Sequence, residues 1–260
     1  MDKIDVIIIG AGIAGITSAY YLQKNFPNIT YKIIDSRSDV GGTWDQMRFP
    51  GVRADNDMYT YGFSFNPWQG SIIGTGQEIK RYINDTAEKF NIKEHIIFDT
   101  QVTELFWKNN QWTTKTNHKN FTSQYVICST GSRDRKNPHL PKFKNENKYQ
   151  GKIVHTQAWG NTNYKDKNVT IIGSGCTAIT MAPSIIKEAK TVTLVQRSPA
   201  WIINIDSQEK SSRGYKTFEV LKDYIFSRFF KKSLRKKIIA TDPYYNETTT
   251  PSYDYWDQRP

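Results

Sequence analysis

Two glycine-rich runs stand 163 residues apart in this 260-residue chain, Gly10-Ala11-Gly12-Ile13-Ala14-Gly15 and Gly173-Ser174-Gly175-Cys176-Thr177-Ala178. Each follows a β-branched apolar stretch and opens a segment with helical patterning. In that setting glycines cradle a pyrophosphate. The first permits a tight strand-to-helix turn, the second lets phosphate approach bare backbone, and the third lets helix pack on strand, with Ala178 a tolerated variant there. The phosphates then face unpaired N–H groups at the positive end of the helix dipole. Two such loops in one polypeptide imply two redox cofactors held side by side, as passing a hydride from a nicotinamide to a flavin requires.

The flanking residues separate the two loops chemically. In the first unit the reading is a buried parallel strand over Ile4 to Ile9, a helix from about Ile13 to Lys24, and a strand from Thr30 to Ile34 that ends on Asp35. Asp35 falls 20 residues after Gly15, where a ribose hydroxyl needs an acceptor. The second unit repeats the pattern with a strand over Asn168 to Ile172, a helix to about Lys190 and a strand over Val192 to Gln196. Gln196-Arg197 stands where the first unit has its acid. A carboxylate repels a 2′-phosphate and a guanidinium chelates one, so the second loop is expected to prefer NADPH. Gly173, Gly175, Ala178 and Arg197 are its candidate ligands. Past the first unit, Arg37-Ser38-Asp39-Val40-Gly41-Gly42 extends the fingerprint as flavin-binding folds commonly do, and marks Gly10, Gly12, Gly15, Asp35 and Gly42 as an FAD set.

The elements that position these residues give an α/β fold: two Rossmann-like dinucleotide-binding domains with an inserted β-meander. Residues 97 to 128 alternate apolar and polar, with turn signals at Asn109-Asn110 and His118-Lys119-Asn120, and read as the meander. Tyr125 to Gly131 reads as a buried strand returning to the flavin sheet, and Ser132 to Lys148 as a linker. The expected domains are 1–133 for FAD, 134–165 as linker, and 166–260 for NADPH, with a basic helical insertion at about 209–240.

Composition excludes several classes. Two cysteines, Cys128 and Cys176, make no disulfide framework, and no Cys-x-x-Cys occurs, so a reducing cytoplasm is the natural compartment. No window approaches the ~20 apolar residues of a membrane span. The run from Val6 to Ile16 is broken by glycines in phosphate-loop register and is no signal-peptide core. Net charge is +11, and ten basic residues against two acids lie between Lys210 and Lys237. With interleaved Phe218, Leu221, Ile225 and Phe229, this stretch suits peripheral contact with an anionic membrane. A solvated helical insertion whose stripe packs on its own domain is the favoured reading, and nothing else resembles a reader of nucleic acid. Cys176 has the setting of a lowered pKa at a helix N-terminus, but a small residue filling the loop is the favoured reading. No metal site is assigned.

Gly41-Gly42-Thr43-Trp44, followed by Arg48-Phe49-Pro50-Gly51-Val52-Arg53 and Asp55, resembles the class B flavoprotein monooxygenases. These include Baeyer–Villiger and flavin-containing monooxygenases, and the similarity is greatest to the ethionamide-activating branch. Tyr149-x-Gly151-x-x-x-His155-x-x-x-Trp159-Gly160 is similar to the Baeyer–Villiger fingerprint. It departs from that fingerprint at Tyr149, which replaces Phe, and at Gly160, which replaces Pro or Asp. Gln196-Arg197-Ser198-Pro199 and Trp256-Asp257-Gln258-Arg259 are also family-like.

The resemblance implies an NADPH- and O2-dependent monooxygenase acting through a C4a-peroxyflavin on a small-molecule ketone or thioether. By position Arg259 resembles the active-site arginine that favours oxyanions, and Asp55 the acid that sets its position. Thr43, Trp44, Asp55 and Val102 join the FAD set, while Gly151, His155 and Trp159 brace the linker. Relatives continue past the equivalent of Pro260, so an N-terminal portion is expected, lacking the C-terminal part of the fold. The alternatives are an inactive FAD/NADP-binding fragment and a flavin-dependent NADPH oxidoreductase without oxygen insertion.

Overall fold

The computed structural model describes residues 2–132, 138 and 140–198. The chain's most apolar stretch forms the central strand β1 (Asp2–Ile9), with Ile7 and Ile8 fully buried from opposite faces. The glycine turn hands β1 to α1 (Ile13–Asn25), which leads back to β2 (Tyr31–Ile34). β2 runs parallel to β1, Ile8 beside Ile33, and β3 (Ile96–Ile97) continues outward from β2. Between them lie α2 (Thr43–Gln46), α3 (Met58–Tyr61) and α4 (Gly76–Lys89). Thr75 and Glu78 cap α4 reciprocally: the Thr75 hydroxyl accepts from the Glu78 amide, and the Glu78 carboxylate accepts from the Thr75 amide.

The expected meander is β4 (Val102–Lys108), β5 (Gln111–Thr116) and β6 (Phe121–Cys128), consecutive antiparallel neighbours. Asn109 and Asn110 both take left-handed φ, 53° and 58°, between paired Lys108 and Gln111, as a two-residue hairpin turn demands. β6 pairs parallel with β1, giving the six-stranded order β3-β2-β1-β6-β5-β4. α1 and α4 close one face over Val6, Ile8, Ile16, Ile79 and Ile83, and Ile7, Ile34 and Phe121 pack on the other.

The second sheet pairs β7 (Asn168–Ile172) with β8 (Thr191–Val195) in parallel, joined by α5 (Cys176–Ile185). α5 ends five residues short of the expected Lys190. The Asp166 amide donates to the Glu188 carbonyl and the Lys190 amide to that of Lys167, which turns the chain out of the helix toward β8. A second correction concerns β6, expected to be buried: Tyr125 is 61% exposed, because α1 packs over β1 and β2 and leaves this neighbour uncovered.

Candidate functional site

The first loop is shaped by close approach. Gly10 has φ +108°, and a methyl group there would meet the Ser129 carbonyl oxygen at 2.4 Å; one on Gly15 would stand 1.9 Å from the Gly10 carbonyl oxygen. Gly12 is the N-cap of α1, with no side-chain cap and no acid in the helix's first turn, so the helix presents its amide end to an anion. Asp35 is where the sequence puts it, but it is only 3% exposed and already engaged. Its Oδ2 accepts from the Ala11 amide at 2.6 Å and its Oδ1 from the Arg37 amide at 2.9 Å. The short carboxylate thus braces the phosphate loop.

The Gly41-Gly42 pair closes on this loop. The Gly41 amide donates to the Ala11 carbonyl, and Gly42 Cα lies 3.5 Å from where a Gly12 methyl would sit. Gly41 (φ +125°) and Gly42 (φ +57°) take backbone angles that need glycine. Thr43, exposed, opens α2, and Trp44 follows on the core side with its Nε1–H buried and without an acceptor among the described residues. An orphaned donor beside a phosphate loop fits a bound group that carries acceptors. Val102 lies two residues beyond Thr100, whose amide donates to the Asp35 carbonyl.

Next to the pair lies a charge cluster that spacing alone did not reveal. Asp45, 3% exposed, accepts from Arg37 Nε, from Arg48 at 2.9 Å and from Lys80 at 2.6 Å, while Lys80 also reaches Asp39 at 2.8 Å. Burial alone would raise the Asp45 pKa, but the hydrogen bonds and charges of Lys80 and Arg37 outweigh it and hold the carboxyl below its ordinary value. For Lys80 burial works toward deprotonation, and its two carboxylate partners more than reverse that. Lys80 comes from α4, 35 residues along the chain, so no local pattern announces the cluster.

The strap 47–55 joins the first βαβ unit to the second. Met47 and Phe49 pack with Ile171 of β7 and with Ala178, Met181 and Ile185 of α5. Gly51, φ +78°, lies so close to α5 that a methyl group there would meet Ser184 Oγ at 2.2 Å and the Thr180 carbonyl oxygen at 2.8 Å. On its other side the strap is pinned by the chain leading into α4: the Gly76 amide donates to the Val52 carbonyl and the Ala54 amide to that of Gly74, each at 2.8 Å. Asp55 follows, exposed, and its carboxylate helps to raise the pKa of Cys176 at the start of α5. It does not cap a helix; Asp57 does, accepting from the Tyr59 amide at 2.9 Å.

The second loop is open. Gly173 has φ +144°, nothing lies within 4 Å of a methyl group on Gly175, and α5 has no side-chain cap and no acid in its first turn. A pyrophosphate fits such a cradle. Arg197, exposed, stands two residues beyond the end of β8, and the Gly173 amide donates to the Val195 carbonyl there. A helix N-terminus alone would lower the Cys176 pKa, but it is raised instead. The Asp55 carboxylate, then burial, push the thiol up.

In the linker, His155 Nδ1 accepts from the Gln157 amide at 3.2 Å and caps a short 3-10 turn, Thr156–Ala158. Trp159 packs on the α5 cluster, and the Tyr149 ring folds over Gly151. Gly160, at φ +54°, occupies a region closed to proline. Arg259 and the basic segment 210–237 lie outside the described residues. Among the described residues no helix is long and apolar enough to cross a membrane.

The sequence profile of the family described as "Pyridine nucleotide-disulphide oxidoreductase" matches residues 7–217. The chain belongs to that family. Within it, the chain is 35% identical to "Probable FAD-binding monooxygenase AlmA" of Acinetobacter sp, aligned over 100% of this chain and 59% of that protein. It is 37% identical to "FAD-containing monooxygenase EthA" of Mycobacterium tuberculosis over 78% of this chain and 43% of that one. The crystal structure of cyclohexanone monooxygenase with cyclohexanone bound superposes with a TM-score of 0.72 at 25% identity, covering 87% of this chain and 45% of that chain. The α/β class read from the sequence is therefore the observed one. The chain spans about half the length of the curated relatives it matches.

Proposed function

We propose that this chain carries the FAD- and NADPH-binding portion of a flavin monooxygenase of Baeyer–Villiger type, which uses O2 to convert a ketone to an ester or to oxygenate sulfur or nitrogen. The observation that carries the reading is the strap. It follows the Gly41-Gly42 pair that closes on the first glycine loop, packs on α5 through Met47, Phe49 and Gly51, and ends on Asp55. The relatives' FAD-monooxygenase names and the ketone in the cyclohexanone monooxygenase structure support the same reading.

Bound FAD supplies the redox and oxygen-transfer chemistry. The chain's own residues bind and orient. Gly10, Gly12 and Gly15 bring the amide end of α1 to the flavin pyrophosphate, and the Trp44 Nε1–H waits for an acceptor on that nucleotide. Gly173, Gly175 and the first turn of α5 take the second pyrophosphate, and the Arg197 guanidinium takes the 2′-phosphate. Asp55 places a negative charge beside the start of α5; Arg259, the candidate oxyanion partner, lies outside the described residues. Residues 134–165 act as the linker that sets the geometry between the FAD unit (1–133) and the NADPH unit (166–260).

Absorbance of the purified chain, NADPH oxidation under air and mass analysis of the product in isotopically labelled O2 test this. The expected result is retained FAD, faster oxidation of NADPH than of NADH, and label in the ester. A chain that binds no FAD sinks the first-loop assignment. Reductant consumption without labelled product leaves only a reductase.

A further inference from the structure

The Gly41-Gly42 pair is the most freely jointed part of the first cradle. Glycine loses more backbone freedom on folding than any other residue, so something must hold two of them in place. An acid stands on either side of the pair, Asp39 two residues before it and Asp45 three residues after it. Lys80 of α4 meets both. Its Nζ lies 2.8 Å from Asp39 Oδ2 and 2.6 Å from Asp45 Oδ1. Its stem passes the pair itself, with Cγ 3.4 Å from where a Gly41 methyl group would sit. Arg37 and Arg48 also bind Asp45, but both belong to the chain segment that carries the pair. Lys80 is the partner that arrives from a separate packed helix. The pair in turn rests on the first glycine loop: the Gly41 amide donates to the Ala11 carbonyl at 3.1 Å, and Gly42 Cα closes on Gly12. Ala11 is gripped from its other side by Asp35, which accepts from its amide at 2.6 Å.

We propose that Lys80 is a positioning residue for the first nucleotide: its ammonium clips Asp39 to Asp45 across Gly41-Gly42 and keeps that pair seated on Ala11 and Gly12, so that the phosphate cradle is closed before its ligand arrives. That the ligand is FAD rests on the function proposed above; the clip itself does not. An ammonium carries three donors on one nitrogen and so serves two separate carboxylates at once. Without it, two carboxylates face each other across a flexible pair, and their repulsion favours an open turn. Arg37 and Arg48 still neutralise Asp45 in that case, but neither ties the turn to α4. A residue that never touches the nucleotide thereby sets how much of the time its site is ready. Apparent affinity falls in proportion to that readiness.

The test compares two variants of the full chain, Lys80→Met, which keeps the stem and removes the charge, and Lys80→Arg, which keeps the charge. In a titration with FAD followed by flavin fluorescence, Lys80→Met should bind about tenfold more weakly, as a cradle closed about a tenth of the time would. Lys80→Arg should restore most of the affinity. Asp39→Asn keeps the Oδ1 that accepts from the Val40 amide and should cost less. Added to Lys80→Met it should cost nothing more, because the contact is already gone. Unchanged affinity in Lys80→Met, no rescue by Lys80→Arg, or additive losses in the double variant overturns the clip. Hydrogen exchange of the ligand-free chain reads the clip without FAD. Lys80→Met should speed exchange in peptides covering residues 39–47 and leave the meander, 102–128, as in the parent. Faster exchange in both regions means general loosening and overturns the proposal. If the parent binds no FAD while the local change in exchange appears, the clip stands and the first-loop assignment falls. If the parent binds no FAD and exchange over 39–47 is unchanged, both fall.

Discussion

The Lys80 ammonium lies 2.6 Å from the buried Asp45 carboxylate and ties α4 to the helix that follows Gly41-Gly42. Arg37 and Arg48 share the same carboxylate, so removing it takes the buried acceptor from three partly exposed cations. Asp45→Ala should destabilise the chain by about 1–3 kcal/mol, because the carboxylate is buried while Arg37, Arg48 and Lys80 stay partly exposed and can rehydrate. Asp45→Leu with Lys80→Leu should recover part of that loss. Denaturant unfolding of the single and double variants checks it, and equal destabilisation by both contradicts it.

The same group sets an acid dependence. The folded-state pKa of Asp45 lies below its ordinary value of 3.8, so its contribution is complete above that value and is lost as pH falls through the folded pKa. Stability should decline below about pH 4, and Asp45→Asn should flatten that limb of the curve. Thermal midpoints of both proteins between neutral and acid pH measure the difference.

At the first loop, Gly15→Ala places a methyl group 1.9 Å from the Gly10 carbonyl oxygen, a backbone atom that cannot swing aside. α1 must then back away from β1, and the pyrophosphate cradle opens. The expected outcome is purification without flavin, read from visible absorbance, with added FAD restoring little of it. A Gly15→Ala protein that retains FAD at the wild-type ratio overturns the assignment.

What the sequence made legible follows from how local each signal is. β1, α1, β2 and the Asn109-Asn110 turn are written in contiguous residues, where β-branched runs, glycines and paired Asn dictate backbone shape directly. Asp45 was hidden because its decisive partner comes from α4. The docking of Gly51 on α5 was hidden for the same reason, since a glycine in a Phe-Pro-Gly run reads as a turn until the helix beneath it is seen. The end of α5 at Ile185 depends on contacts with residues 166 and 167, again outside any local window.

His155 serves the linker as a cap, accepting at Nδ1 from the Gln157 amide. His155→Ala should cost about 1 kcal/mol, the usual loss on removing a capping acceptor, and His155→Asn should restore most of it. Both should bind FAD as the parent does. Thermal unfolding and flavin content measured together separate this from a direct role, because a residue that touched the cofactor would lose flavin first.

We propose that Arg197 decides which coenzyme the second loop takes. It stands past the end of β8, beside the turn where the Gly173 amide meets the Val195 carbonyl, at the place where the first unit carries Asp35 instead. A guanidinium hydrogen-bonded to a phosphate is worth about 1.5–3 kcal/mol, and each 1.4 kcal/mol is about a factor of ten in affinity. Arg197→Ala should therefore weaken NADP+ by about tenfold or more and leave NAD+ nearly unchanged, since NAD+ offers that side chain no phosphate. Arg197→Asp should go further, because a carboxylate repels the 2′-phosphate and accepts from the free ribose hydroxyls of NAD+, reversing the preference. Calorimetric titration of both coenzymes into the three proteins gives the four ratios needed. Equal losses for NADP+ and NAD+ would mean that Arg197 merely supports the loop, and the discrimination would then have to come from elsewhere in the chain.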